Sequence, residues 1–569
     1  MSISRRLRIA SVVFASACCI IHTVDAAANH HHKISNPVNP FQSGFGFVYN
    51  EQDGGVGSAL SGTYALSSGF GQLLIRYDDS GAELGRAELA IEAGTSVQQI
   101  WALPDVTDRF WAGYIHDDGY ADVGVFNLAD RSPVLTKRIF LSADPDEATL
   151  FLLPNNTIAL IQDLGLSVRV SIFNATTGQP VFENSYASDA FVATGGVGSL
   201  ATQFATLGLL PDDSGYLLTV VSAEGELAGT TLSYSNSVVI AYLNPTGAVQ
   251  STSRLQMDSG TPLIAFSSVL SDNSALVNIF EQTVDPVTFA VTSTKTHLFK
   301  FQSNGQLAWS TIFNGAMLSV SQTAGASGDL YLTGTKLTPV QGNAFASDAV
   351  VARVSSATGA LLSQAGLDRG QADFLSIGGT TSNALLVAAQ SSATGTSPFT
   401  TTLIKIALDL GSVSTALEYE RATTFGFLTH DPADAEVLFT TFEDASKVGL
   451  ISLTEDFADT LSCDLFSPVA ITLTNPGVTV ETPAITPAAV VVNSTDFVSE
   501  STTTTFAPTS PVTESVDICT EGPQTPVTLS ATAASAIAFG ETKSVDVTTG
   551  AQTDAWTATS NASWAVVQA

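Results

Sequence analysis

The sequence predicts an all-β fold, a single large β-propeller over about residues 41–462, with eight blades preferred and seven the alternative. Three observations predict it. Short apolar strands recur at similar spacing through residues 63–462. Most of them lead into polar turns closed by glycine, and no stretch sustains a helical apolar period. A closed ring is favoured over an array of sandwiches or a β-helix, because eight similar units can cover one another's edges.

The elements follow in chain order. Residues 1–26 read as a secretory signal: Arg5, Arg6 and Arg8 precede the apolar run Ile9 to Ile21, and Val24-Asp25-Ala26 places cleavage after Ala26. Ala15-Ser16-Ala17-Cys18 has the outline of a lipoprotein box. Apolar residues follow Cys18 where a polar tether is expected, so secretion is favoured over acyl anchoring there. No later run reaches membrane-spanning length. Residues 27–40 read as a flexible leader. Its His30, His31 and His32 have no acidic or cysteine partner nearby and are read as a chance polar run.

The repeat then begins. One apolar strand reads Ile158-Ala159-Leu160, Tyr216-Leu217-Leu218, Leu330-Tyr331-Leu332 and Ala384-Leu385-Leu386 in successive copies, often after turn formers such as Pro154-Asn155-Asn156 or Asp272-Asn273-Ser274. The next strand ends at a glycine turn, as in Val239-Ile240-Ala241-Tyr242-Leu243 before Pro245-Thr246-Gly247. Turn centres fall near residues 81, 131, 178, 247, 305, 359, 411 and 456, a spacing that suits a four-stranded blade. The copies near 131 and 456 lack the glycine.

Composition changes at Cys463. Residues 463–525 are rich in Thr, Pro and Val, and Pro468, Pro476, Pro483 and Pro487 interrupt short alternating runs. An extended, partly ordered segment is expected, with a glycosylated flexible stalk as its rival. Four cysteines occur, two of them, Cys18 and Cys19, in the signal; Cys463 and Cys519 are therefore expected to pair in an oxidising compartment. Residues 526–569 show strands at Val527-Thr528-Leu529-Ser530 and Ser544-Val545-Asp546-Val547-Thr548, followed by Trp556 and Trp564. They supply three or four of the seven strands a sandwich needs, so an incomplete domain is expected there.

Three stretches carry two family resemblances. Leu298-Phe299-Lys300-Phe301-Gln302-Ser303-Asn304-Gly305 and Leu403-Ile404-Lys405-Ile406-Ala407-Leu408-Asp409-Leu410-Gly411 resemble secreted bacterial-type β-propeller repeats. Trp556 and Asn561-Ala562-Ser563-Trp564 resemble the start of a BACON domain, an immunoglobulin-like sandwich found beside carbohydrate-active modules. The second resemblance implies contact with carbohydrate or mucin and transfers no binding residue.

Acidic residues number 53 against 21 basic, a formal net charge of -32, which repels phosphate backbones and anionic lipid. Nucleic acid is excluded as a partner, and a glycan or extracellular protein bound by a monomer is expected. No nucleophile elbow, zinc-protease helix or phosphate loop is present, and no catalytic residue, cofactor or metal site is nominated. His116, beside Asp117-Asp118, is read as capping an exposed turn. Asp117-Asp118-Gly119-Tyr120-Ala121-Asp122 and Asp78-Asp79-Ser80-Gly81 lack the alternating spacing of a calcium loop. The resulting expectation is a secreted or cell-surface, non-enzymatic binding protein. Its contact surface would be the insertions Glu183 to Gly208, with Tyr186 and Phe191, and Asp285 to Thr296. The alternative is a propeller-type polysaccharide hydrolase or lyase with carboxylates at the central channel.

Overall fold

The computed structural model describes most residues from 83 to 504, with short gaps. Outside that span it describes chiefly the strands His32–Ser35, Phe47–Asn50, Thr63–Ser67, Leu73–Asp78, Ser515–Asp517, Thr528–Leu529 and Val547–Thr548. The predicted signal, Cys463, Cys519 and both C-terminal tryptophans lie outside the described residues.

The described strands form successive antiparallel sheets, designated I to VIII. They occupy residues 47–88, 95–140, 148–187, 202–259, 264–314, 317–367, 372–419 and 425–454. Sheets I to VII each hold four consecutive strands. Sheet VIII takes three from 425–454 and a fourth from His32–Ser35, which lies antiparallel to Lys447–Thr454 with His32 opposite Ile451. The leader expected to be flexible thus contains a strand. Sheets VI and VII are linked by a single parallel pairing, Ser347 with Ala372. Each sheet packs on the next, and Phe47–Asn50 of sheet I packs on Phe425–Asp431 of sheet VIII. The first strands converge inside and the last strands form the rim.

The most regular strand of the sequence repeat is the second strand of each sheet. Thr157–Asp163 is buried along its whole length, and Ala384–Ser392 nearly so. Both faces are covered by adjoining sheets, which is why these strands read as unbroken apolar runs. Core clusters accordingly span neighbours: Val221, Val238 and Ile240 of sheet IV pack with Ile279, Phe299 and Phe301 of sheet V.

The turns explain the sequence signals. Between the third and fourth strands one residue takes a left-handed backbone: Gly178, Gly247, Gly305 and Gly359, at φ 66–79°. The copies without that glycine keep the conformation. Arg131 (φ 59°), Leu410 (φ 63°) and Phe457 (φ 58°) occupy the same place in their turns, and Gly411 does not. Glycine serves a second purpose, because a neighbour leans on it. A side chain at Gly247 would meet Phe182 at 2.5 Å, and one at Gly359 would meet Trp309 at 2.5 Å. The turn carbonyl is also read by the preceding sheet. Asn184 and Tyr186 donate to Gly247 O at 3.1 and 2.7 Å, and Thr311 donates to Gly359 O at 2.9 Å.

The Thr/Pro/Val-rich segment runs as an extra edge strand along the rim. Phe466–Pro468 pairs with sheet VII, Thr479–Glu481 with sheet V, Asn493–Asp496 with sheet III and Ser501–Thr502 with sheet II. Single bridges join Thr474 to Gly366 and Ala488 to Arg254. Proline is tolerated in such edge segments because one side of the strand needs no hydrogen bonds. Val478, Val490 and Val492 are buried in core clusters of the sheets they cross.

Candidate functional site

The most concentrated polar chemistry lies where the chain crosses from sheet VI to sheet VII. Lys336 stands opposite Asp348 across two adjacent strands of sheet VI. Asp368 and Arg369 follow its last strand, Leu361–Leu367, and Asp373 sits on the innermost strand of sheet VII, Ala372–Thr380. The Ser347–Ala372 pairing brings the strands of Asp348 and Asp373 side by side. Thr402 and Glu418 face each other on the outer strands of sheet VII.

Arg369 ties these groups together. Its backbone N–H donates to Asp373 Oδ2 at 2.7 Å, its Nη2 to Glu418 Oε2 at 2.9 Å and its Nη1 to the Thr402 hydroxyl. Asp373 is 1 % exposed, whereas Asp368 and Arg369 are open to solvent. Burial pushes the Asp348 carboxyl above its ordinary range, and the negative charges of Asp368 and Asp373 push it the same way against the opposing pull of Lys336. The arrangement sets the Asp348 carboxyl, its proton affinity raised, near the exposed Asp368 and the Arg369 guanidinium that Glu418 and Thr402 engage. Among the described residues no group of three or more His, Cys, Asp or Glu side chains is placed to hold a metal ion.

The channel wall itself is poor in acids. Among the innermost strands, Asp373 and Asp431 are the carboxylates, both on sheets VII and VIII. The ring of acids expected for a channel-centred enzyme is replaced by a cluster at one sheet junction.

His116 does not cap an exposed turn. It is 7 % exposed, stacks on Tyr120 with centroids 4.2 Å apart, and its Nε2 lies 3.3 Å from Asp122 Oδ2. Asp122 accepts both Arg138 Nε and Nη2 at 2.7 Å. Burial pushes the Asp122 carboxyl up, but hydrogen bonds and charge from Arg138 and His116 outweigh it, and its pKa is lowered. Asp117 and Asp118 are the exposed turn residues; the alternation of the flanking strands turns His116 and Asp122 inward. His297 and His430 are likewise buried, each 2.8 Å from a glutamate, Glu281 and Glu455.

Of the insertions expected to form a contact surface, the described residues are largely built into the sheets. Glu183 lies in strand Pro180–Ala187, which the rim segment covers, and Tyr186 and Phe191 are 0 % and 4 % exposed. Residues 193–201 and 285–290 lie outside the described residues, and Val291–Phe301 is a strand of sheet V.

No family model and no curated protein matches the sequence. Solved structures do resemble the fold. The structure of the Dos1 propeller has 10% identity and a TM-score of 0.38, covering 73% of this chain and 95% of its own. An apocarotenoid oxygenase/RPE65 chimera has 9% identity and a TM-score of 0.35, covering 77% and 90%. A mutant of the Synechocystis apocarotenoid oxygenase has 9% identity and a TM-score of 0.34, covering 82% and 95%. The expectation of a non-enzymatic binding role is corrected: oxygenases are among the solved structures found, and at these scores they assign this chain neither an activity nor the lack of one. A ring of strands without a sequence motif is no mark of a mere binder. The strand order and the packing of each sheet on the next themselves make the described chain all-β and propeller-like.

Proposed function

We propose that the protein is a secreted, eight-bladed propeller enzyme that cleaves a glycan-like substrate by acid–base catalysis at the junction of sheets VI and VII. The carrying observation is the pairing of Ser347 with Ala372, which sets the strand of Asp348 beside that of Asp373, with Asp368 and Arg369 at the same junction; burial and the charges of Asp368 and Asp373 raise the proton affinity of Asp348. Two carboxyl groups with separated proton affinities are what glycoside hydrolysis requires. Asp348 donates its proton to the leaving oxygen, and the exposed Asp368 carboxylate takes a proton from the attacking water. Arg369 orients substrate hydroxyls, while burial, then the charge of Asp368 and last that of Asp373, raise the proton affinity of Asp348.

Closure of sheet I onto sheet VIII supports eight blades. The predicted signal supports secretion with cleavage after Ala26, and a rim already covered by the extra edge segment supports a monomer. An antiparallel pair, Thr528–Leu529 with Val547–Thr548, supports a BACON-like tail that brings the enzyme to carbohydrate.

The test is turnover of a panel of neutral and acidic polysaccharides by the wild-type protein and by Asp348→Asn and Asp368→Asn. Turnover that falls at least 100-fold in both variants is expected. No release of reducing ends from any polysaccharide, or equal turnover in both variants and the wild type, refutes the assignment.

A further inference from the structure

The rim segment forms a strap that passes from sheet to sheet, and at one crossing it roofs a cavity. Asn493–Asp496 pairs with the last strand of sheet III and Ser501–Thr502 with the last strand of sheet II, so Phe497 to Glu500 span the gap between the two. The span is fastened at both ends. Phe497 N donates to Glu183 O and Phe140 N to Glu500 O, each at 3.0 Å. Ser499 donates to the Glu183 carboxylate through its backbone N–H, at 3.2 Å, and through its hydroxyl. Beneath lies a cavity of about 270 Å³, bounded by the strap on one side and by Phe140, Gln162 and Arg169 of sheets II and III on the other. Pockets for drug-sized ligands run from about 300 to 1,000 Å³, so this one suits a single small ring.

The polar groups that line it have capacity left over. Arg86, Arg138, Arg353 and Arg369 each pair with a carboxylate. Arg169 does not pair with one among the described residues, in a chain with 53 acidic residues against 21 basic. Its Nη1 donates to the Ser142 hydroxyl, its guanidinium lies 4.8 Å from the centroid of the Phe497 ring, and its Nε is buried without a partner. Gln162 is 1 % exposed, and its Oε1 accepts from Ser142 N at 2.7 Å. The Nε2 of the same amide donates to no described residue. Two exposed apolar side chains, Phe140 and Val498, and the Glu500 carboxylate complete the lining.

These groups specify a ligand. An unpaired guanidinium calls for a carboxylate, which it binds through parallel N–H donors. A spare buried amide donor and an acidic acceptor call for hydroxyl groups, which both accept and donate. An exposed ring calls for an apolar face of C–H groups. A net charge of -32 repels free anions at long range, so the ring contacts must add to the charge contact. We propose that this cavity is a binding site for a uronate, a sugar ring that carries a carboxylate. Arg169 binds the carboxylate, Gln162 and Glu500 the hydroxyls, and Phe140 the C–H face. The site lies on sheets II and III and does not rest on the cleavage assigned to sheets VI and VII. Half of it comes from the strap, so the site exists only while the strap is docked.

The test is calorimetric titration of the full chain with oligogalacturonate and with its methyl ester, which keeps the rings and removes the charges. The chain carries Asp348→Asn, so that cleavage does not consume the probe. Oligogalacturonate is expected to bind at least about 10-fold more tightly than the ester, and Arg169→Gln to abolish that difference, as the loss of a charge-assisted hydrogen-bonded pair requires. Polyglutamate, an acidic chain without sugar rings, is expected not to compete. Hydrogen exchange of the wild type locates the ligand without any Arg169 variant: amides of Phe497 to Glu500 slow when oligogalacturonate is added, and those of Thr400–Ala407 in sheet VII do not. Equal binding of acid and ester, competition by polyglutamate, or exchange that slows only in sheets VI and VII each overturn the site. Binding at the strap without turnover refutes the catalytic assignment and leaves this site standing; turnover without protection at the strap does the reverse.

Discussion

Replacing Gly247 with alanine tests whether the repeat glycine is kept for its backbone alone or for the sheet that leans on it. Gly247 has φ +79°, and the left-handed region costs an L-residue about 1–2 kcal/mol, offset by roughly 0.5 kcal/mol from the stiffer unfolded chain. Gly119, at φ +85°, carries the same penalty, and a methyl group there would have nothing within 4 Å. Gly119→Ala should therefore cost about 1 kcal/mol. At Gly247 the new methyl would lie 2.5 Å from Phe182 Cδ2 and 2.7 Å from Asn184 Nδ2. Overpacking of that kind adds about 1–3 kcal/mol. It also pushes away Asn184, which donates to the Gly247 carbonyl, at roughly 1 kcal/mol for a weakened buried hydrogen bond. The expected total is about 3–5 kcal/mol. Urea unfolding followed by tryptophan fluorescence, with the slope held common, gives the two midpoints. Equal midpoints for Gly119→Ala and Gly247→Ala would refute the packing argument and leave backbone conformation as the whole cause.

Three further outcomes are expected. Tyr186→Phe removes the hydroxyl that donates to Gly247 O and should cost about 1 kcal/mol in the same urea assay; no change would mean the carbonyl is satisfied by Asn184 alone. Asp122 has a lowered pKa, so its contribution is present above the unfolded carboxylate value near 4 and is lost as pH falls through its lower folded value. Asp122→Asn should cost about 2 kcal/mol at pH 7 and flatten the stability loss below pH 4, which acid titration of the urea midpoint checks. Asp348 has the opposite sign: a raised carboxyl pKa favours folding at low pH, and that advantage disappears as pH rises through the folded value. Asp348→Asn should therefore raise the urea midpoint at pH 7 while removing turnover; a lowered midpoint would assign Asp348 a structural role.

Much of the sheet structure is legible in the sequence because its signals are local. Turn formers at Asn156, Asp213 and Asn273 coincide with left-handed residues, and the buried second strands show as unbroken apolar runs. Arg131 and Phe457 show the limit of reading residue types: the turn closes in the same conformation without glycine because its hydrogen bonds, Arg131 N to Asn127 O and Phe457 N to Thr454 O, remain. The rim strap is hidden from such a reading because its prolines resemble a linker, while its partners lie hundreds of residues away, 368 in the case of Thr136 and Thr504. The cluster around Asp348 draws on strands from Leu330–Val340 to Val413–Tyr419, so no spacing in the chain announces it. The exposed neighbours of His116 point the wrong way, because alternation along a strand gives adjacent residues opposite surroundings.

The weaving of His32–Ser35 into the last sheet has a consequence for synthesis. Its partner Ile451 emerges from the ribosome some 400 residues after His32. At about 5–20 residues per second, that strand waits roughly 20–80 s for its place in the sheet. During that interval seven sheets can form in order while the eighth is unavailable, and the edge of the nascent ring stays open to other chains. Delivery of the chain across a membrane before it closes, as a secretory signal would direct, coincides with that open interval.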